Sequence, residues 1–243
     1  MEKKSGFITL GLILSLGLII AALIMGNTWR KVSRSNVTIT VTGSAQKNIR
    51  SDFATWSGNF SNESNQLTEA YKKLQESGAT VKGYLISKGI GEDKIKFSSV
   101  NTMTMYVQNA QGVNTNVIQG YRVTQDVTVS SNDVDKIDQL SREATELILQ
   151  GVEFNSNAPE FFYTKLSELK VEMIGLASKD AKTRADQIAQ STDNEVGEVR
   201  SSRMGVIQIN PVNSTEVSDY GINDTSSLEK VITAVVNVSY SIE

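Results

Sequence analysis

The sequence predicts a fold that mixes β-strands with three main α-helices, placed behind one N-terminal transmembrane helix. Two patterns predict it. An uninterrupted apolar run lies near the N-terminus, and beyond it period-2 stretches alternate with stretches whose apolar residues recur every three or four positions.

Residues 7–25, FITLGLILSLGLIIAALIM, carry no charge, and a helix of that length is about 28 Å long, close to the hydrocarbon thickness of a bilayer. Only Thr9 and Ser15 interrupt the apolar surface, whereas a core helix of a soluble domain would show a polar face. A cleaved signal peptide is the alternative. Its apolar region is shorter and ends at a small-x-small site, whereas here Ala21 and Ala22 lie inside the run. The expected organisation is a short segment 1–6, a span or signal anchor 7–25, a juxtamembrane linker 26–35 and a folded domain 36–243. Trp29, Arg30, Lys31 and Arg34 would form an interfacial collar. Basic residues flank both ends, so charge alone does not orient the span.

Val37, Ile39 and Val41 alternate with threonines, and Ala54, Trp56, Gly58 and Phe60 repeat the alternation. These are two strands, expected to form a hairpin with a bend or bulge after Gly43. Leu67, Ala70, Tyr71, Leu74, Val81 and Leu85 mark the first long helix, capped by Ser64 or Asn65 and stopped by Gly89. Within it, Gly78 and Gly83 are expected to permit close packing on a sheet. Ile95, Phe97, Met103, Met105 and Val107 share parity and predict one long strand, with an exposed loop over 108–116. Tyr121, Val123, Val127 and Val129 form the next strand. A helix follows from Val134 to Ile148, with Asp133 and Asp135 at its electropositive N-terminus and Gly151 at its end. A short strand runs to Pro159. The third helix lies between Tyr163 and Thr192 and carries Ala177, Ala181, Ala185 and Ala189 on one ridge, which lets a partner helix or sheet approach closely. One or two strands end at Pro211, a polar loop spans 210–227, and residues 231–242 form a last strand apolar enough to be central in its sheet.

Composition limits the chemistry. The chain has no histidine and no cysteine, which removes imidazole bases, thiolate nucleophiles, disulfides and Cys/His metal sites. No cofactor is expected. The net charge of −3 argues against a nucleic-acid partner, because phosphate neutralisation needs a basic surface. Asp133, Asp135 and Asp138 lack the glycine and terminal glutamate of a calcium loop and read as helix-capping and surface acids. Gly89 and Gly91 follow a helix rather than a strand, so they form a turn and not a phosphate cradle. Two S-x-x-K pairs occur, Ser44 with Lys47 and Ser227 with Lys230, but neither starts a helix as an acyl-transfer site requires. Six N-x-S/T triplets, at Asn36, Asn59, Asn62, Asn213, Asn223 and Asn237, fit a chain rich in Asn, Ser and Thr. Trp56, Tyr121, Phe161 and Phe162 are the large apolar groups expected in the core, with a subunit interface as the alternative.

The segments ITVTGSAQKNIRSDFA, KGIGEDKI, GYRVTQDVTV followed by DVDKIDQL, and the A-x-x-x-A helix before V-G-E-V resemble the SIMPL domain family over residues 37–242. The resemblance implies an α+β fold of two intertwined subdomains with antiparallel or mixed sheets, one of them ferredoxin-like. It also implies a location outside the cytoplasm, a tendency to homo-oligomers and a link to stress response. It transfers no catalytic residue.

The leading expectation is a non-enzymatic structural or interaction module of the cell envelope, held to membrane lipid through residues 7–25 and self-associating. Cleavage of the segment would make it secreted or periplasmic instead. One alternative is a binding protein for a small or polymeric envelope ligand, using the loops 108–117 and 210–227. A carboxylate-dependent hydrolase is the third, since acid chemistry survives the loss of histidine and cysteine.

Overall fold

The computed structural model describes residues 14–29 and 37–242. Residues 14–29 form helix α1, exposed along its whole length, with Leu18 70 % exposed and Met25 75 %. Among the described residues no helix is long and apolar enough to cross a membrane. Residues 7–13 of the expected span, residues 30–35 of the expected linker and the 1–6 segment lie outside the described residues.

Beyond α1 the chain is α+β. It runs β1 (Thr38–Arg50), β2 (Phe53–Ser64), α2 (Leu67–Ser87), β3 (Ile95–Phe97), β4 (Asn101–Gln108), β5 (Asn114–Ser131) and α3 (Val134–Glu143). It continues through β6 (Glu153–Ser156), β7 (Glu160–Phe162), α4 (Leu166–Gln190), β8 (Val196–Met204), β9 (Gln208–Pro211) and β10 (Glu229–Ile242). Every ladder between these strands is antiparallel.

Residues 53–162 build the first half. Its sheet has the order β3–β5–β2–β6, with β4 also on β5 and β7 also on β2. The even-numbered core positions of β2 point to one face. Ala54, Trp56 and Phe60 there meet Val123, Val127 and Val129 of β5 and the apolar stripes of α2 and α3. Trp56 is fully buried, stacked on Phe154 at 6.0 Å, and its indole N–H donates to Ser156 Oγ. Burying a ring of this size with its N–H satisfied is what allows it into the core.

Residues 38–50 and 163–242 build the second half. β10 lies between β1 on one side and β8 and β9 on the other, the central place its apolar sequence predicts. α4 covers one face of this sheet with Leu169, Met173, Ala177, Ala181 and Ala185 against Val41, Ile232, Ala234 and Val236. The alanine ridge is fully buried through Ala185 and almost so at Ala189. Its counterpart is Gly43, where a Cβ would sit 2.6 Å from the Ala181 Cβ and would strike the α4 backbone. Helix and sheet backbone meet there because neither carries bulk.

Several sequence expectations change. β1 and β2 do not form a hairpin: β1 pairs with β10 over its full length and β2 pairs with β5. Gly43 is therefore not a bend; β1 continues straight through it to Arg50, because the small residues 43–45 are read by α4. The strand expected over 95–107 is two, β3 and β4, separated at 98–100. The α2 N-cap is Gln66, with no side-chain capping bond, instead of Ser64 or Asn65. Gly78 meets Phe60 only at ordinary contact distance and Gly83 has nothing within 4 Å, so close packing explains neither. Asp133 does cap α3, accepting from the Lys136 N–H at 3.1 Å, and Gly89 and Gly151 take the positive φ expected at helix ends.

The halves join at a waist where β1 runs into β2. Ser51 N–H donates to Leu228 O and Asp52 N–H to Phe162 O, while the Asp52 carboxylate accepts from Thr164 N–H and Oγ1. Arg50 bridges Asp135 of the first half and Glu229 of the second.

Candidate functional site

Three features outside the packed cores merit a functional reading: a groove beside α4, a buried lysine at the waist and a projecting two-stranded arm.

The groove, of about 550 Å³, lies between the start of α4, the β8–β9 turn and residues 220–223. Leu166 and Lys170 are four apart on α4 and so share a face; both line the groove, opposite Val206, Ile207 and Ile209. The far wall belongs to the polar loop 210–227, and hydrogen bonds hold it. Gln208 and Asn210 donate their side-chain amides to Ser218 O and Glu216 O, at 2.6 Å each. Ile209 N–H donates to Ile222 O, and Asp224 N–H donates back to Ile209 O. A loop of this length without strands would ordinarily be mobile. Here it is laced to β9 and presents a standing wall. Tyr220, 98 % exposed, stands at its rim.

A smaller cavity of about 50 Å³ shares Leu166, Ile209 and Asn223 with the groove and reaches Lys230. Lys230 sits on the core face of β10 and is 3 % exposed. Its ammonium donates to Phe161 O at 2.7 Å and to Asp224 O. Burial holds its pKa below the usual lysine range, against the opposing pull of the nearby Asp224 charge. Burial by itself would raise Asp224, but hydrogen bonds from Ser226 and Ser227 and the lysine charge leave its carboxyl below the usual range. Asp224 Oδ2 and Ser51 Oγ are buried without a partner among the described residues. Lys230 thus ties β7 of the first half to β10 of the second, and Ser226 N–H and Oγ both donate to Asp224 Oδ1.

Past Tyr121 the first seven residues of β5 pair with β4 alone, so the hairpin leaves the sheet as a two-stranded arm. Met103, Tyr106, Val107, Val113, Val117 and Ile118 are all exposed on it. No residue from 97 to 121 is charged, in a chain that is 21 % charged overall. Natural exposed edges are usually blunted by lysine or other charges. This one is not.

A fourth cluster is structural. Tyr84 at the end of α2 donates to Glu143 O, and Lys88 pairs with Glu143 at 2.7 Å and Glu146 at 3.0 Å. These carboxylates raise Lys88, and burial raises Tyr84 despite the lysine beside it. The cluster clamps α2 to α3.

Of the residues singled out in the sequence, Trp56, Phe161 and the four alanines lie inside the chain's own cores, in contact with its own strands and helices. Phe162 is half-buried against Phe53 at 6.4 Å. Tyr121 is half-buried at the root of the arm, opposite Ser64 and Thr104. The structure does not gather them into one site. Lys230 entered the sequence reading only as the partner of Ser227 in an S-x-x-K pair, the arm only through its loop 108–117, and Lys170 not at all. The charge-free run was a signal for the arm; an isolated lysine on a helix or strand gives none. Among the described residues no cluster of acids is suited to hold a metal ion.

Residues 39–240 match the family model SIMPL, described as a protein of unknown function (DUF541), and the chain belongs to this family. No curated protein matches it.

Proposed function

We propose that this SIMPL-family chain is a membrane-anchored, extracytoplasmic, non-enzymatic module of the cell envelope that self-associates through its β4–β5 arm. The arm carries the reading. A two-stranded ribbon is marginal alone in water, and uncharged apolar groups on a free edge favour pairing with another chain. The exposed apolar α1, continuous in sequence with the rest of the 7–25 run, supports the anchor. With β3 and β4 taken as one interrupted strand beside β5, residues 53–156 follow a β–α–β–β–α–β succession, and this and the sheet order β3–β5–β2–β6 support reading the first half as ferredoxin-like. No carboxylate lines the groove, which favours this role over an acid-dependent hydrolase.

Light scattering of the full chain in detergent micelles tests it. We expect an assembly larger than one copy, reduced to monomer by Ile118→Lys with Val117→Lys. Because both residues are exposed, the melting temperature should move little, within about 0.5 kcal/mol of stability per substitution. A wild-type chain monomeric at every concentration would refute self-association. The groove, with its hydrogen-bonded wall, favours a second reading as a ligand-binding protein.

A further inference from the structure

We infer that the groove beside α4 binds the acyl chain of a long-chain fatty carboxylate, with the carboxylate at Lys170; this rests on the ligand-binding reading and is independent of self-association.

Four observations lead there. The groove volume of about 550 Å³ falls within the roughly 300–1,000 Å³ of small-molecule sites. Its walls are mainly aliphatic, from Leu166, Met204, Val206, Ile207, Ile209 and Ile222, so the complementary ligand is a hydrocarbon. Lys170 is the single charged residue lining it and has no hydrogen bond or ion pair among the described residues. Glu172, two residues along α4, is bound to Lys47. An apolar trough with one unpaired cation at its edge is complementary to an amphiphile with one negative head. Finally, the wall formed by residues 220–223 is already fixed through Gln208, Asn210 and Ile209, so little ordering cost opposes binding.

The inner cavity at Lys230 does not hold the head group. Its ammonium already lies between two carbonyl oxygens, and the Asp224 carboxylate beside it would repel a second anion. The chain end points toward that side, and the head stays at the rim.

The test uses the full chain in phosphatidylcholine nanodiscs and a palmitate analogue carrying a photoreactive diazirine near its methyl end, followed by peptide mapping. We expect labelling in residues 204–209 and 220–223. Lys170→Glu should lower it about fivefold, the scale of losing one exposed ionic contact and gaining a like charge. Lys179→Glu, on the same helix but away from the groove, should leave it unchanged, and the matching alcohol should label weakly. Leu166→Trp, which fills the trough, should abolish labelling. The inference is overturned if label appears only within residues 7–25, if Lys170→Glu labels like wild type, or if the groove is cross-linked to the arm of a second copy and takes no lipid. Ile118→Lys with Val117→Lys separates the two readings, since the pair should disperse the assembly and leave groove labelling intact.

Discussion

The two halves solve the same packing problem, one helix layer on one antiparallel sheet, with opposite materials. The first half fills the space between its layers with large side chains: Trp56, Phe60, Leu74, Leu85, Ile137 and Leu147 are all essentially fully buried. The second half removes the space, bringing Ala177 and Ala181 onto Gly43 and Ala234. Stability in the first comes from apolar area withdrawn from water. In the second it comes from many close backbone contacts that tolerate no added atom. A core of the first kind should suffer most from deletion, and one of the second kind from addition.

The sharpest way to break this contrast is to exchange the insults. Trp56→Ala should cost about 3–5 kcal/mol, with hydrogen exchange accelerated first in β2 and β5. Gly43→Val should cost about 1–3 kcal/mol or somewhat more, because the backbone of α4 is what the new atoms meet, and its exchange signature should fall on β1, β10 and α4. If Gly43→Val leaves the thermal midpoint unchanged, the close approach does not hold the second half. If both variants loosen all strands equally, the halves are one cooperative unit.

Lys230→Met probes that coupling directly. It removes the donor shared by Phe161 O in the first half and Asp224 O in the second, leaving two carbonyls short of a partner. We expect a loss of about 1–3 kcal/mol and separation of a single calorimetric transition into two. A single transition with unaltered midpoint would place the coupling elsewhere at the waist, with Arg50 or Asp52.

The smallest effect is in acid, where each half has one telling carboxylate. The Ser44 N–H and then Arg184 hold Asp180 below its usual range, pinning α4 to β1. Lys88 and then Gln139 do the same for Glu143, which clamps α2 to α3. A carboxyl whose folded pKa is depressed stabilises the fold at pH values above its unfolded pKa, about 4, and that stability is lost as pH falls through the lower folded value. Chemical denaturation between pH 6 and 2 should therefore show weaker acid dependence in Asp180→Asn and in Glu143→Gln. Lys88 has the opposite sign. Its raised pKa adds stability that is complete below the unfolded lysine pKa, about 10.4, and declines only above it. An Asp180→Asn titration curve superimposable on wild type would remove this carboxylate from the account.

Much of the fold was visible in periodicity. The alanine spacing of α4, the parity of Val123, Val127 and Val129, and the two-sided apolarity of β10 all mark burial, because a core face repeats at the element's own period. Turn chemistry located Gly89 and Gly151. The strand partners were less visible. β1 and β2 are separated by two residues, and a short connection ordinarily means a hairpin. Here the two strands enter different sheets, and β1 waits for β10, with Arg50 opposite Glu229 and Thr38 opposite Ser241. Nothing local encodes that choice. It is decided by which apolar faces the completed chain can cover together. The same holds for the groove: Leu166, Ile209 and Asn223 lie far apart in sequence and become neighbours only when the loop 210–227 is laced onto β9.

By itself the sequence determined that histidine and cysteine chemistry is absent, that an apolar run precedes an α+β domain, that the domain belongs with the SIMPL family, and which residues are buried. Those properties depend on composition and on spacing within single elements, which the chain carries locally. Tertiary structure alone decided that Gly43 is a contact point and not a bend, that Lys230 is buried as a tie between halves, and that residues 97–121 stand out as an uncharged arm. Each of these depends on what lies opposite a residue in space, and for the second half that is settled only when β1 pairs with β10.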